Sequence, residues 1–480
     1  MSSPTGGEEP QELTDGEQAA AAKEVPAGRR HARIASGPAR SGIGPLWHLA
    51  WPSILSFTCN GLYRVNDQYW MSGLGPDAQA ALGASFFVLI LNFSLYFVAV
   101  AGSLPLVARA TGRGDALDRE RIVRHTLFLG TLMGLALMAF SNHLAPAMVF
   151  LQDMEGGVAE QGTAYLMTMY GLALPMALSP IVDNVFIGMG HTRVPLVLQL
   201  VAVSTNFVLN PCLIYGWGPF EAHGIAGAAI ATCTSRGLAV LLGLGLLRLR
   251  YDVHVLRELS ILPRRLWTIV RIGVPSALSI TIYAAVYLAL YRYVLTDLGR
   301  DVMAGLGIGF NAFEGISFPF FLGVAVAGSS LVGRNLGADA PEEAWRAVRS
   351  MRVMATALGL MFLALFLLLA PVIVPAFTDS EAVQGEAMLY VRILAVAQLF
   401  VAMEAIHEKV LLGAGHTVPI FAISVPMNAL RVPLAWFLAF PCELGPAGVW
   451  WAINSTTLLK AVLFGWLVQR RGWLTRELRT

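Results

Sequence analysis

Charge is what this 480-residue sequence has least of: 13% of its residues are Asp, Glu, Lys or Arg, where a soluble globular domain carries about a quarter. With 56% hydrophobic residues and a mean hydropathy of +0.62, that shortage excludes an ordinary soluble domain and indicates a membrane protein. Cysteine is scarce too. Its four copies, Cys59, Cys212, Cys233 and Cys442, are scattered without paired spacing, which excludes a zinc or redox framework and leaves small apolar fillers. No phosphate-binding loop of the Gly-x-x-x-x-Gly-Lys-Ser/Thr type occurs, so ATP-driven work is unsupported. No nucleophile with its base stands out either, so neither enzyme chemistry nor a cofactor is expected. A net charge of +2 says nothing about partners, and nucleic acid is not expected among them. Residues 1–43 lack an apolar stretch behind a basic start, which excludes a signal peptide. They are rich in Gly, Glu, Ala and Pro, acidic first and then basic at Arg29, Arg30, Arg33 and Arg40, and read as a disordered cytoplasmic tail.

What the sequence does have is long apolar runs. FFVLILNFSLYFVAVAG (86–102) and ALGLMFLALFLLLAPVIVPAF (357–377) suffice to cross a bilayer, which takes about 20 residues as helix. They are continuous, not alternating, which favours helices over a barrel. Segments bounded by Gly, Pro and charge fall near 46–73, 79–107, 123–148, 160–187, 194–216, 224–247, 267–297, 303–332, 347–376, 384–412, 418–440 and 446–469. The expected fold is an all-α polytopic membrane protein of twelve transmembrane helices. Arginines crowd alternate loops: Arg109, Arg113, Arg119, Arg121 and Arg124; Arg248, Arg250, Arg257, Arg264, Arg265 and Arg271; Arg334, Arg346 and Arg349. The opposite loops are acidic, with Arg300 their basic residue. The positive-inside rule then places both termini in the cytoplasm, and the expected location is the plasma (inner) membrane.

The chain repeats itself. GMGHTRVPL (188–196) returns as GAGHTVP (413–419), LGPDAQAALG (74–83) as LGRDVMAGLG (298–307), and VAVAGS stands at both 98–103 and 324–329. WPSIL (51–55) is echoed by VPSAL (274–278), Asn206 and Pro211 by Asn428 and Pro433. Six spans per half is an even number, so the halves enter the membrane in the same direction and form a parallel pseudo-two-fold repeat. The expected organisation is a tail (1–43), a first lobe (44–248), a cytoplasmic linker (249–265), a second lobe (266–470) and a C-terminal tail (471–480). Both GxGHT stretches fall on short turns after the fourth and tenth spans. There Gly ends a helix and Pro opens the next, which makes the histidines turn residues before proton carriers.

Pro52, Asp67 and SGLGPDA (72–78), then AGSLPLVARATGRGDA (101–116), NFVLNPCLIYG (206–216), GIAGAAIAT (224–232) and VAGSSLVGRNLGADAPEEA (326–344), resemble the multidrug and toxic-compound extrusion (MATE) transporters. LYRVNDQYWMSGLGPDA (62–78) looks most like their DinF-like branch. The resemblance implies a V-shaped pair of six-helix bundles that exports amphipathic, often cationic, compounds in exchange for H⁺ or Na⁺. It implies coupling roles for Tyr63 and Asp67, for the pair Asn206 and Asn210, and for Thr232, which helps coordinate Na⁺ in some members. Asn210 departs from the branch, which often has Asp there.

The residues also speak for themselves. An ionisable group inside a membrane is costly and marks a functional candidate. Asp67 lies ~9 Å inside the outer end of the first span. Asn210, Thr232 and Asn206 stand at similar depth in the same half, with Asn206 and Asn210 on one helical face. A carboxylate, two amides and a hydroxyl suit a proton or a hard cation such as Na⁺. The alternative for Asp67 is an ion pair with Arg64; for the asparagines, interhelical hydrogen bonding. The second half replaces Asp67 by Tyr291 and adds Glu314 and Glu404, which either serve a cationic substrate or a second proton, or are buried, hydrogen-bonded acids. Asp183 and Glu408 occupy equivalent positions near the cytoplasmic surface. They are read as interfacial ion-pair members or as a latch between the halves. Pro52 permits a bend in the first span.

The expected function is secondary active antiport by a rocker-switch of two lobes, by a monomer that meets small amphipathic substrates and membrane lipid. A flippase for a lipid-linked saccharide precursor is the alternative, which a cleft lined by basic residues favours; Arg64 and Arg431 are the basic groups counted at depth.

Overall fold

The structure, a computed structural model, describes residues 36–255, 260–475 and 478; the greater part of the expected N-terminal tail lies outside them. The regular elements among the described residues are all helices, with no strand. Helix α1 (Ile43–Met71) and α2 (Pro76–Arg113) are followed by α3 (Ala116–Ala139) and its short continuation α4 (Ser141–Leu151). Next come α5 (Gly156–Gly171), α6 (Ala173–Gly188), α7 (Arg193–Tyr215) and α8 (Gly224–Arg250). The second half holds α9 (Pro263–Leu298), α10 (Arg300–Gly337), α11 (Pro341–Ile373), α12 (Glu381–Gly413), α13 (Val418–Ala439) and α14 (Pro446–Gln469).

Ten of these helices are individually long and apolar enough to span a membrane, and α5 with α6 makes an eleventh span bent by 58°. The bend has a local cause. Pro175 lacks an N–H and crowds the carbonyl four residues back, at Gly171, where α5 stops. The twelfth span is α1. Its 29 residues reach ~44 Å, but Asn60, Arg64, Asn66, Asp67 and Gln68 make it too polar to qualify on hydropathy. The helix that carries the site is thus the one that hydropathy alone passes over. Helix starts and stops follow ordinary capping chemistry: Pro opens α2, α9, α11 and α14, where its missing donor costs nothing. Asp115 caps α3 by accepting from the Asp118 backbone N–H at 2.9 Å.

Two bundles result, α1–α8 and α9–α14. Their seam is built from α1 and α2 on one side and α9 and α10 on the other: α1 packs on α10, and α2 on both α9 and α10. Toward the arginine-rich end, called here the basic face, the backbones touch. A methyl group on Gly112 would lie 2.0 Å from the Arg334 carbonyl oxygen, and one on Gly337 would lie 2.2 Å from that of Arg109. These two contacts are images of each other, because Gly112 and Gly337, like Arg109 and Arg334, stand 225 residues apart. Nearer the opposite face the bundles meet through exposed side chains, with Arg64 donating to Asn311 at 3.4 Å and Arg292 to Asp153 at 3.2 Å.

Residues 37–41, placed by the sequence in a disordered tail, are ordered against the basic face. Gly37 N–H donates to the Gly112 carbonyl at 3.0 Å, Ala39 N–H to Asn335 Oδ1 at 2.7 Å and Ser41 N–H to Glu343 Oε2 at 3.2 Å. The other end is anchored as well: Trp473 is buried against Trp345, its indole N–H donating to the Val468 carbonyl at 2.9 Å.

Candidate functional site

In the first bundle, α1, α7 and α8 bring the expected residues into one network. On α1 the stripe Tyr63, Asn66 and Asp67, spaced i, i+3 and i+4, is buried while Leu62, Arg64, Val65 and Gln68 around it are exposed, the pattern of a helix with one face against its neighbours. Asp67 Oδ1 accepts from Asn210 Nδ2 at 2.8 Å, and Thr232 Oγ1 lies 3.5 Å from Asp67 Oδ2. Asn206 Nδ2 donates to Thr232 Oγ1 at 3.1 Å. Asn66, which the sequence reading passed over, donates to Asn206 Oδ1 at 2.8 Å. Its nearness to Asp67 was visible; its partner on α7 was not.

The chemistry can be read from which atoms are occupied. Both Asp67 oxygens face donors, an arrangement fitted to the ionised carboxylate. Asn206 has its oxygen committed to Asn66 and its nitrogen to Thr232, so it props the site and has little left to offer a ligand. Asn210 differs: its side-chain oxygen is buried and has no hydrogen-bond partner among the described residues. An orphaned buried amide oxygen costs about 1–3 kcal/mol, so its place beside a buried carboxylate asks for a cation or a proton donor. The oxygens of Asp67, Asn210 and Thr232 are the ones that fit Na⁺ among the four residues expected to hold it. Tyr63 does not join them. Its hydroxyl pairs with Ser235 Oγ at 3.2 Å, and the Arg236 guanidinium lies over its ring at 4.6 Å. Arg64 reaches toward the second bundle, not toward Asp67.

The second bundle holds a different arrangement. α9 and α10 each contain a π turn, at Tyr291–Leu295 and Phe310–Glu314, and the first places Tyr291 where the first half has Asp67. The second ends on Glu314. Such wide turns re-aim side chains and frequently mark functional positions. Glu314 is half-buried and accepts a hydrogen bond from the Tyr390 hydroxyl. Nearby, Arg431 is buried and donates to Tyr287 at 3.2 Å, Thr456 at 3.1 Å and Thr457 at 3.3 Å. Glu404 is an ion-pair member: Lys460 Nζ lies 2.6 Å from its carboxylate, the side chains 4% and 16% exposed. Breaking a buried pair from one side strands a charge, at about 3–5 kcal/mol, whereas replacing both partners is far milder. Lys460→Met is therefore expected to lower the thermal midpoint of the detergent-solubilised protein sharply. Lys460→Met with Glu404→Gln should recover most of it, and equal losses in the two variants would refute the pairing.

Asp183 and Glu408 form no contact with each other. Glu408 pairs with its neighbour Lys409 at 2.7 Å, one of the ion pairs that the sequence allowed, and Asp183 lies on α6 within range of the Arg236 charge. Pro52 is buried in the first half of α1, two residues before the close approach of Gly323 to Ile54. Basic groups at depth are more numerous than the sequence reading counted: Arg236 and Lys460, in the middle of α8 and α14, join Arg64 and Arg431. Each was masked by the apolar run around it.

A family model described as MatE matches residues 52–212 and again 275–437, once in each half and together most of the chain. The protein belongs to the MatE family. It is accordingly a multi-pass membrane transporter and not an enzyme. A Thermotoga maritima protein named probable multidrug resistance protein NorM is 24% identical over 444 residues, covering 89% of this chain and 94% of that one. A Shewanella oneidensis protein named FAD transporter is 26% identical over 196 residues, 40% of this chain and 42% of its own. Among solved structures, the outward-facing conformation of a multidrug resistance MATE transporter superposes with a TM-score of 0.83 at 23% identity. The match covers 91% of this chain and 97% of that one. That likeness carries the fold: two bundles of six spans, as expected from the repeat.

Proposed function

We propose that this MatE protein is a secondary antiporter that exports amphipathic organic compounds in exchange for H⁺ or Na⁺ taken up at Asp67. The observation that carries the reading is the Asp67 cage itself. A carboxylate is held in the bundle by Asn210 and Thr232, with the spare Asn210 oxygen beside it. An arriving cation or proton must displace a donor contact that Asp67 now accepts. Either event alters how α1 is gripped by α7 and α8, and α1 is also the helix that packs on α10 across the seam. That continuity links ion binding to alternating access between the bundles. The basic face is taken as cytoplasmic by the positive-inside rule, so tight contact there and looser contact opposite correspond to an outward-facing state. The relatives named as multidrug resistance proteins support organic substrates of broad range.

Efflux from proteoliposomes tests the coupling. A fluorescent amphipathic substrate should leave against its gradient when an inward pH or Na⁺ gradient is imposed, one of the two sufficing. Flux indifferent to both gradients would refute antiport.

A second reading concerns substrate charge. Arg236, Lys460, Arg431 and Arg64 stand against the acids within the bundles, so cationic substrates are not favoured by the interior as a whole. Arg431 is held by neutral hydroxyls, and one relative is named FAD transporter. An amphipathic substrate bearing an anionic group, including the lipid-linked saccharide class, is consistent with these residues. Competition of matched cationic and anionic dyes in the same vesicles separates the two.

A further inference from the structure

The two GxGHT stretches end their helices in the same way. In each, the second Gly has positive φ, 80° at Gly190 and 73° at Gly415, as the left-handed cap of a helix requires. His191 N–H then returns to the Phe186 carbonyl at 2.8 Å and Gly190 N–H to Ile187 at 2.9 Å; His416 N–H returns to Leu411 and Gly415 N–H to Leu412, both at 2.8 Å. Both turns therefore present the carbonyl end of a long helix, where partial negative charge gathers.

An arginine from the other bundle meets each of them. Arg109, on α2, crosses the seam and donates from Nη2 to the Ala414 carbonyl at 3.0 Å. Arg334, on α10, crosses the opposite way, and its Nη1 lies 2.4 Å from where a methyl group on Gly190 would stand. Ser330, one turn before Arg334, donates to the Ile187 carbonyl of that same turn at 2.5 Å. Both guanidinium side chains are buried. His191 adds no second cation: burial first, then the neighbouring charges of Arg334 and Arg119, push its pKa down to about 4, so the imidazole is neutral near pH 7. The arginines, the turns and the touching glycines Gly112 and Gly337 all repeat at one offset.

We infer that Arg109 and Arg334 are positioning residues for the transport cycle: each is a bolt from one bundle into the helix-ending GxGHT turn of the other, and together they hold the basic face shut. Opening that face withdraws both guanidinium groups from both turns at once. The GxGHT repeat is thus the receiving half of a symmetric closure, and Asp183 and Glu408 are not its latch. The inference rests on the reading of the protein as an alternating-access transporter, but its test is structural and does not require flux.

Spin labels placed at Leu117→Cys on the first bundle and Glu342→Cys on the second, in a background lacking the four native cysteines, report the separation at the basic face by double electron–electron resonance in nanodiscs. Both sites are exposed. Arg109→Gln and Arg334→Gln should each lower the ratio of short to long distances by on the order of tenfold, the worth of a charge-assisted hydrogen bond. The two effects should multiply in the double variant if the bolts act independently. Arg109→Lys should restore part of the short population, since charge at the helix end is kept. A distance distribution unchanged in both single variants overturns the inference, as does a loss that follows the melting midpoint and leaves distances in the folded fraction unaltered. Should the double variant fail to fold, the single variants decide. Distances that shift as expected while efflux ignores both gradients would support the bolts and refute the antiport reading.

Discussion

Asp67→Asn is expected to reduce gradient-driven efflux at least about tenfold while leaving a folded, membrane-inserted protein. The substitution keeps the shape of the side chain and removes its charge. Asn210 and Thr232, which now point toward two carboxylate oxygens at 2.8 and 3.5 Å, would face one amide oxygen and one amide NH₂. A charged hydrogen bond is worth about 1.5–3 kcal/mol, so losing even one is a tenfold effect on ion binding. The fold should tolerate the change because the Asn66–Asn206–Thr232 contacts do not pass through Asp67. Efflux in vesicles, with expression and thermal midpoint measured alongside, checks the expectation. Undiminished coupled efflux from a well-expressed variant would remove Asp67 from the coupling site.

Gly273→Ala should be nearly as damaging by a different route. A methyl group there would lie 1.8 Å from the Val98 carbonyl oxygen, and one on Gly102, across the same contact, would lie 2.1 Å from that of Ile269. Backbone cannot yield by a rotamer change, so α2 and α9 must separate. The cores centre on Phe186 and Tyr165 in the first bundle and on Trp450 and Phe362 in the second, but they run across the seam at Ile54, Ala101 and Leu104 and at Ile269 and Ile272, so the cost falls first on the joint between the bundles. Efflux is expected to fall roughly tenfold or more, as a displacement worth about 1.4 kcal/mol in a two-state equilibrium suffices for that factor. Hydrogen exchange should rise in residues 98–113 and 263–273 and stay near wild type inside each bundle. Wild-type exchange at both segments would show that these helices do not need to touch.

Much of this was legible in the sequence because both strong signals are local. Apolar runs reveal helices, and a 225-residue echo reveals two bundles without any knowledge of their packing. The Asp67 network could be assembled from depth alone, since Asp67, Asn210 and Thr232 lie at matched distances from the ends of their own spans. What depth cannot supply is the identity of a neighbour on another helix. Lys460 stands in an apolar run and gives no hint that Glu404 lies 2.6 Å away; Arg236 hides its position over Tyr63 in the same way. The π turns at Tyr291 and Glu314 have no composition of their own. The GxGHT turns were read correctly as helix ends, but the arginines that enter them come from the opposite half of the chain. Residues 37–41 follow an unpatterned tail, and only their partners on α2, α10 and α11 give them a conformation.

Those five residues straddle a joint. They hold Gly112 of one bundle and Asn335 and Glu343 of the other, while Trp473 near the far end of the chain docks within the second bundle alone. The C-terminal end returns to the seam as well: beyond Trp473, Leu478 packs against Gly415 of the second bundle and against the core cluster around Phe186. Cargo attached ahead of Ser36 pulls on a leash tied to both, and its weight, charge or tethering would be felt as resistance each time the bundles part.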